Sequence, residues 1–165
     1  MQTRSVAPVE QDGRSDFDFL IGKWKVTHSR LQRRLEDDTA WDVFDGTSDM
    51  RTMLGGLGNM DDNLIQLPDG AYRAASIRAF NPDTRLWSIW WLDARKAEID
   101  APVRGSFVDG IGTFLGEDFF KGKPILVRFI WSEIKENMAR WEQAFSPDNG
   151  ENWETNWIME FERSE

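Results

Sequence analysis

Turn signals recur along this chain at intervals of about ten residues, and they constrain the fold more than any other feature. Examples are Pro68-Asp69-Gly70, Asn81-Pro82-Asp83 and Pro147-Asp148-Asn149-Gly150. The segments between them are rich in tryptophan, phenylalanine, isoleucine, valine and threonine, which favour extended strands. No segment of helical length carries apolar residues at a 3.6-residue period. The sequence therefore predicts an all-β protein.

Ten strands of roughly ten residues each fit between these turns. Strands joined in sequence order by tight turns form an antiparallel meander, and a meander of this length removes its exposed edges by closing. We predict an up-and-down barrel wide enough to hold an internal ligand, with a two-sheet sandwich as the alternative. The predicted strands are roughly 22–34, 39–53, 59–67, 71–80, 85–94, 98–108, 111–120, 124–134, 138–146 and 153–163.

Length and composition narrow the class of protein further. The 165 residues fit one domain, which we place at 16–165 behind a flexible N-terminal arm at 1–15. The formal net charge of −9 opposes binding to nucleic acid or to anionic membrane surfaces. No apolar run is long enough to cross a membrane, and no secretory signal is seen, so a cytoplasmic location is predicted.

Gly22-Lys23-Trp24 stands at the start of the first predicted strand, directly after Phe17-Asp18-Phe19-Leu20-Ile21. Four further motifs follow along the chain: Phe44-Asp45-Gly46, Leu54-Gly55-Gly56-Leu57-Gly58-Asn59, Trp87-Ser88-Ile89-Trp90-Trp91-Leu92-Asp93 and Trp141-Glu142-Gln143-Ala144-Phe145-Ser146. Together these motifs resemble a family of bacterial proteins of unknown function with a lipocalin-like (calycin) barrel, in which the tryptophan of a Gly-x-Trp opening packs at the closed end. The resemblance covers roughly 16–163. It implies a calycin-type fold, and it transfers no catalytic residues to this chain.

No cofactor or metal is predicted. The chain has no cysteine and one histidine, which excludes thiolate and multi-histidine sites. Haem-binding nitrobindins share this broad architecture, and their iron ligand is a histidine late in the chain. Here the single histidine, His28, lies in the first predicted strand, so haem is not expected.

Inward-facing polar and aromatic residues are the candidate ligand contacts. An arginine inside a barrel can hold a carboxylate with its planar set of donors, and tryptophan offers a broad apolar surface with one N–H donor. We therefore predict a small hydrophobic or amphipathic ligand inside the barrel. The predicted ligand-binding residues are His28, Arg30, Tyr72, Arg78, Trp90, Trp131, Gln143 and Trp157.

Two alternatives to a binding protein remain open. In the first, the chain is an enzyme that acts on a small carboxylate-bearing molecule, with His28 as acid or base and an arginine as the carboxylate anchor. In the second, it is a protein-interaction module. The strand at 85–94 is apolar on both faces, so its outer face requires a cover. Either the segment 17–20 or a second subunit could supply that cover, and the latter predicts a homodimer.

Overall fold

Antiparallel strands account for most of the structure, a computed structural model that describes residues 12–164. Of two 3-10 turns, Asp18–Leu20 precedes the first strand and Leu54–Gly56 lies between the second and the third. The strands are β1 (Gly22–Leu31), β2 (Trp41–Met53), β3 (Gly58–Leu67), β4 (Gly70–Asn81), β5 (Leu86–Asp93), β6 (Glu98–Ile99), β7 (Val103–Val108), β8 (Ile111–Phe120), β9 (Lys123–Lys135), β10 (Met138–Ser146) and β11 (Glu154–Arg163).

Pairing between the first and last strands closes the sheet into a barrel. Apart from the short β6, each strand pairs with the strands before and after it around the ring, and β1 pairs with both β2 and β11. Strand β5 bridges β4 and β7, while the two-residue β6 adds only a short pairing beyond β5. Ten strands thus form one closed antiparallel ring, which confirms the predicted up-and-down barrel and excludes the sandwich.

The predicted strand at 98–108 is the one element that the structure divides. It forms β6 and β7, with residues 100–102 between them outside any strand. Pro102 has no amide hydrogen to donate to a neighbouring strand, which explains why the ladder cannot continue there. The amide of Asp100 instead donates to the carbonyl of Trp91. Residues 100–102 line the cavity described below.

Aromatic side chains fill one end of the barrel. Phe17 is 1% exposed, and its ring contacts those of Trp87, Phe114 and Trp131 with centroids 5.0, 5.7 and 6.2 Å away. The segment around Phe17 therefore packs against the inner face of β5. The idea that it covers the outer face of this strand is wrong, because Trp87 points inward and its Nε1 donates to the carbonyl of Gly13.

Trp24 of the Gly-x-Trp motif lies at this same closed end, as the resemblance implies. It is buried, and its Nε1 donates to the carbonyl of Leu20. The guanidinium of Arg163 stands 4.1 Å from the Trp24 ring centroid and donates to the carbonyls of Phe19 and Ile21. Arg163 on β11 thereby holds the segment before β1 in place.

The predicted N-terminal arm at 1–15 falls mostly outside the described residues, since 1–11 are not described. Within 12–15, the carbonyl of Gly13 accepts the Trp87 hydrogen bond, and Arg14 pairs with Asp12. Across residues 12–164, no helix is long and apolar enough to cross a membrane.

Candidate functional site

A cavity of about 400 Å³ opens at the end of the barrel opposite Phe17. Its volume lies within the range of small-molecule sites. Its wall is largely aromatic, while charged side chains gather at its floor and around its mouth. The aromatic lining residues are Tyr72, Trp91, Phe119, Phe120, Phe129, Trp131, Trp141, Phe145, Trp157 and Phe161.

A buried ion pair forms the polar part of the floor. Arg78 on β4 donates to Asp61 on β3, and their side chains are 4% and 5% exposed. Arg78 also donates to Asn59, and the second oxygen of Asp61 accepts from the Ser76 amide and from Asn63. Both charges are thus compensated within the floor, as buried charges must be.

The Arg78 guanidinium also separates the cavity from the closed end. It stands 5.0 Å from the Phe17 ring centroid and 6.0 Å from that of Trp131. Arg78 and Trp131 both line the cavity, so Phe17 seals the lumen from behind. The cavity therefore has its mouth at the other end, among the hairpins.

A second ion pair lies near the mouth. Arg95, in the turn after β5, donates twice to Asp93 and stacks over Tyr72 at 3.5 Å from the ring centroid. Hydrogen bonds from Arg95 lower the pKa of Asp93, and burial raises the pKa of the Tyr72 phenol. Tyr72 therefore stays protonated near neutral pH and can donate a hydrogen bond into the cavity.

Arg30, Trp157 and His28 form a stack along β1 and β11. The Arg30 guanidinium lies 5.0 Å from the Trp157 ring centroid, and Trp157 Nε1 donates to His28 Nδ1 at 3.0 Å. His28 in turn stacks on Phe44 at 4.9 Å. A Cβ at Gly46 would come within 2.8 Å of the His28 ring, so glycine there makes room for this packing.

Six of the eight predicted ligand-binding residues line this one cavity. The structure brings together Arg30, Tyr72, Arg78, Trp131, Gln143 and Trp157. Whether they bind a ligand stays a prediction. Gln143 projects from β10, where its amide donates to Asn156 at 2.9 Å.

His28 does not line the cavity, although its strand parity points it inward. It is 2% exposed and lies behind Trp157, whose indole it orients. Burial, and secondarily the charge of Arg30, lowers the pKa of His28 to about 4. A neutral, enclosed imidazole that accepts a structural hydrogen bond is poorly placed for acid–base chemistry on a ligand. The predicted contact between His28 and a ligand is therefore corrected to a supporting role.

Trp90 also lies away from the cavity, and its neighbour Trp91 takes the predicted position. Trp87, Ile89, Trp91 and Asp93 face inward on β5, which leaves Trp90 on the outer surface. The sequence did not distinguish the two faces because both are apolar. Charge gave no better guide, because Asp93 shares the inward face with Trp91 and lines the cavity.

Sequence reasoning also missed Asp61 and Arg34. Asp61 could have been found from the hairpin at Pro68-Asp69-Gly70, because a tight turn fixes the register of its strands. Leu67 pairs with Gly70, so Asp61 falls opposite Ser76 and diagonal to Arg78. Arg34 lies in the loop between β1 and β2, inside a stretch predicted to be strand, and no pattern marks it as facing the mouth. Among residues 12–164, no group of three or more histidine, aspartate or glutamate side chains could hold a metal ion.

The barrel is similar to that of a phycobiliprotein lyase. The S-type phycobiliprotein lyase of Guillardia theta superposes with a TM-score of 0.63 over 97% of this chain and 99% of that one. The two sequences are 10% identical, so the likeness shows a calycin-like fold and no more. No family model and no curated protein matches the sequence.

Proposed function

We propose that this barrel binds a small hydrophobic or amphipathic molecule in its cavity. The observation that carries the proposal is an aromatic wall of ten side chains around a lumen of about 400 Å³, with charged groups only at floor and mouth. Such a lining combines apolar surface with a few polar contacts that fix orientation, which is typical of ligand sites. The similar barrel of a phycobiliprotein lyase supports the fold, and at 10% identity it transfers no activity.

A cavity-filling substitution tests this proposal with the neutral probe N-phenylnaphthylamine, which fluoresces in apolar surroundings. Ser76 lines the cavity from β4, and Ala75 beside it faces outward. The wild type should bind the probe, Ser76→Phe should weaken binding at least tenfold by occupying the lumen, and Ala75→Phe should leave it unchanged. Failure of the wild type to bind, or equal weakening by both variants, would contradict an internal site.

Association into a homodimer remains a separate proposal, supported by the outer face of β5. Trp90 and Leu92 are half-buried there, while Ile99 and Met60 nearby are 54% and 38% exposed. Sedimentation at low protein concentration should show a dimer, and a clean monomer of 19 kDa would count against it. Three further points likewise stay predictions from the sequence: the absence of nucleic-acid and membrane partners, a cytoplasmic location, and membership of the bacterial lipocalin-like family.

A further inference from the structure

The cavity mouth carries two arginines that have no carboxylate partner among residues 12–164. Arg30 projects from the end of β1, and Arg34 from the loop that follows it. The cavity's other two arginines differ, since Arg78 pairs with Asp61 and Arg95 with Asp93. In a chain of net charge −9, acids are abundant, so two unpaired cations at one opening need a specific explanation.

The acids nearest to these arginines are already engaged elsewhere. Asp42 accepts a hydrogen bond from Gln32, and Glu154 accepts one from the amide of Leu35. Both carboxylates act on the arginines only through longer-range electrostatics. The third, Asp93, is held by Arg95, as described above. None of these three carboxylates is therefore free to turn toward Arg30.

Burial makes the unpaired state of Arg30 costly. Its Nε is fully buried and donates to no atom of the described residues, while its guanidinium face rests on Trp157. Burial lowers the pKa of both guanidinium groups, yet arginine keeps its charge at neutral pH. A buried donor and an uncompensated charge are both relieved when an anion binds.

We propose that the ligand is an amphipathic carboxylate, held at its anionic end by Arg30 and Arg34 and along its apolar body by the aromatic wall. This inference rests on the proposed function and adds the chemical class of the ligand. Tyr72 lies beside the two arginines and offers a neutral hydroxyl donor to the same carboxylate. Trp157, kept in place by His28, supplies the first apolar surface below the head group.

Calorimetric titration with a matched pair of probes tests the charge requirement. Naphthylacetate carries a carboxylate, and naphthylethanol places a neutral hydroxyl on the same ring system. The wild type should bind naphthylacetate about tenfold or more tightly than naphthylethanol, because charge-assisted hydrogen bonds are the stronger class. In the Arg30→Gln/Arg34→Gln variant this preference should disappear through loss of naphthylacetate affinity, while naphthylethanol affinity stays within about twofold.

Arg73→Gln is the matched control, because Arg73 neighbours Tyr72 on β4 but faces outward toward Asp62. It removes a positive charge and should leave the preference intact. Equal binding of both probes by the wild type, or an unchanged preference in the double variant, would overturn the carboxylate assignment alone. If naphthylethanol and N-phenylnaphthylamine both fail to bind, the proposed function fails with it.

Discussion

His28 illustrates how one side chain can matter to a site without touching the ligand. Its imidazole accepts the Trp157 indole hydrogen at 3.0 Å, and Trp157 supports Arg30. The acceptor nitrogen must be unprotonated for this contact, and burial keeps it so. The orientation of the Trp157 ring therefore depends on the protonation state of a residue behind the cavity wall.

This arrangement predicts a pH-dependent stability that a His28→Gln variant lacks. The unfolded chain takes up a proton near pH 6.5, whereas the folded chain does so only near pH 4, because burial lowers the pKa of His28 to about 4. The contribution of His28 to stability is thus complete above pH 6.5 and is lost as the pH falls toward 4.

Urea unfolding should show the wild type losing about 3 kcal/mol more than His28→Gln between pH 7 and pH 4. The glutamine does not titrate and retains a carbonyl acceptor for the indole. All carboxylates are common to both proteins, so their titration cancels in the comparison. Parallel pH profiles for the two proteins would show that His28 is freely protonated in the folded state.

Elements were predictable where one face of a strand is distinctly polar, and less so elsewhere. Ten segments and their antiparallel order followed from turn chemistry, and Gln143 was correctly predicted to point inward because Trp141 and Phe145 share its face. Strand β5 has two apolar faces, so period-two alternation could not choose between Trp90 and Trp91. The break at 100–102 depends on the Asp100 amide meeting the Trp91 carbonyl, a tertiary contact that no local pattern contains.

The 3-10 turn at Asp18–Leu20 and the Phe17 before it act as one sealing element. Five other rings surround Phe17, among them Trp87 and Trp131, and the Arg78 guanidinium lies over its face. A large aromatic residue in such packing loses both its buried area and its contacts when truncated. This element therefore contributes to stability far more than its three-residue helical turn suggests.

Phe17→Ala is accordingly expected to lower the free energy of unfolding by about 3–5 kcal/mol. Phe119→Ala serves as the comparison, because Phe119 is 71% exposed, and it should change stability by less than about 0.5 kcal/mol. Chemical denaturation of the three proteins measures both effects. A loss below about 1 kcal/mol for Phe17→Ala would mean that the seal is dispensable.

For the whole molecule, closure depends on the most distant pairing in the chain. Strand β11 hydrogen-bonds to β1 in a register that joins Trp24 to Arg163 and Arg30 to Trp157. The sequence could predict that a ten-strand meander closes, because open edges are disfavoured. It could not predict the register at closure, since no turn links these two strands and only the finished ring defines it.

A chain ending at residue 152 should therefore lose cooperative folding altogether. It keeps nine of the ten ring strands, but it exposes two long edges and removes the Trp157 and Phe161 side chains from the core. Near-ultraviolet circular dichroism and thermal melting would detect the loss. Cooperative melting of the shorter chain would contradict this view of closure.

Because Phe17 closes the lumen behind Arg78, the lumen is a pocket closed at one end and not a channel through the barrel. Within the part of the chain that the structure describes, a bound ligand leaves by the opening through which it entered, and a lumen of about 400 Å³ leaves little space for a second molecule to pass it. A competing ligand therefore binds only after the first ligand has dissociated. Exchange in a chase experiment should consequently proceed at a rate that does not depend on how much competitor is added.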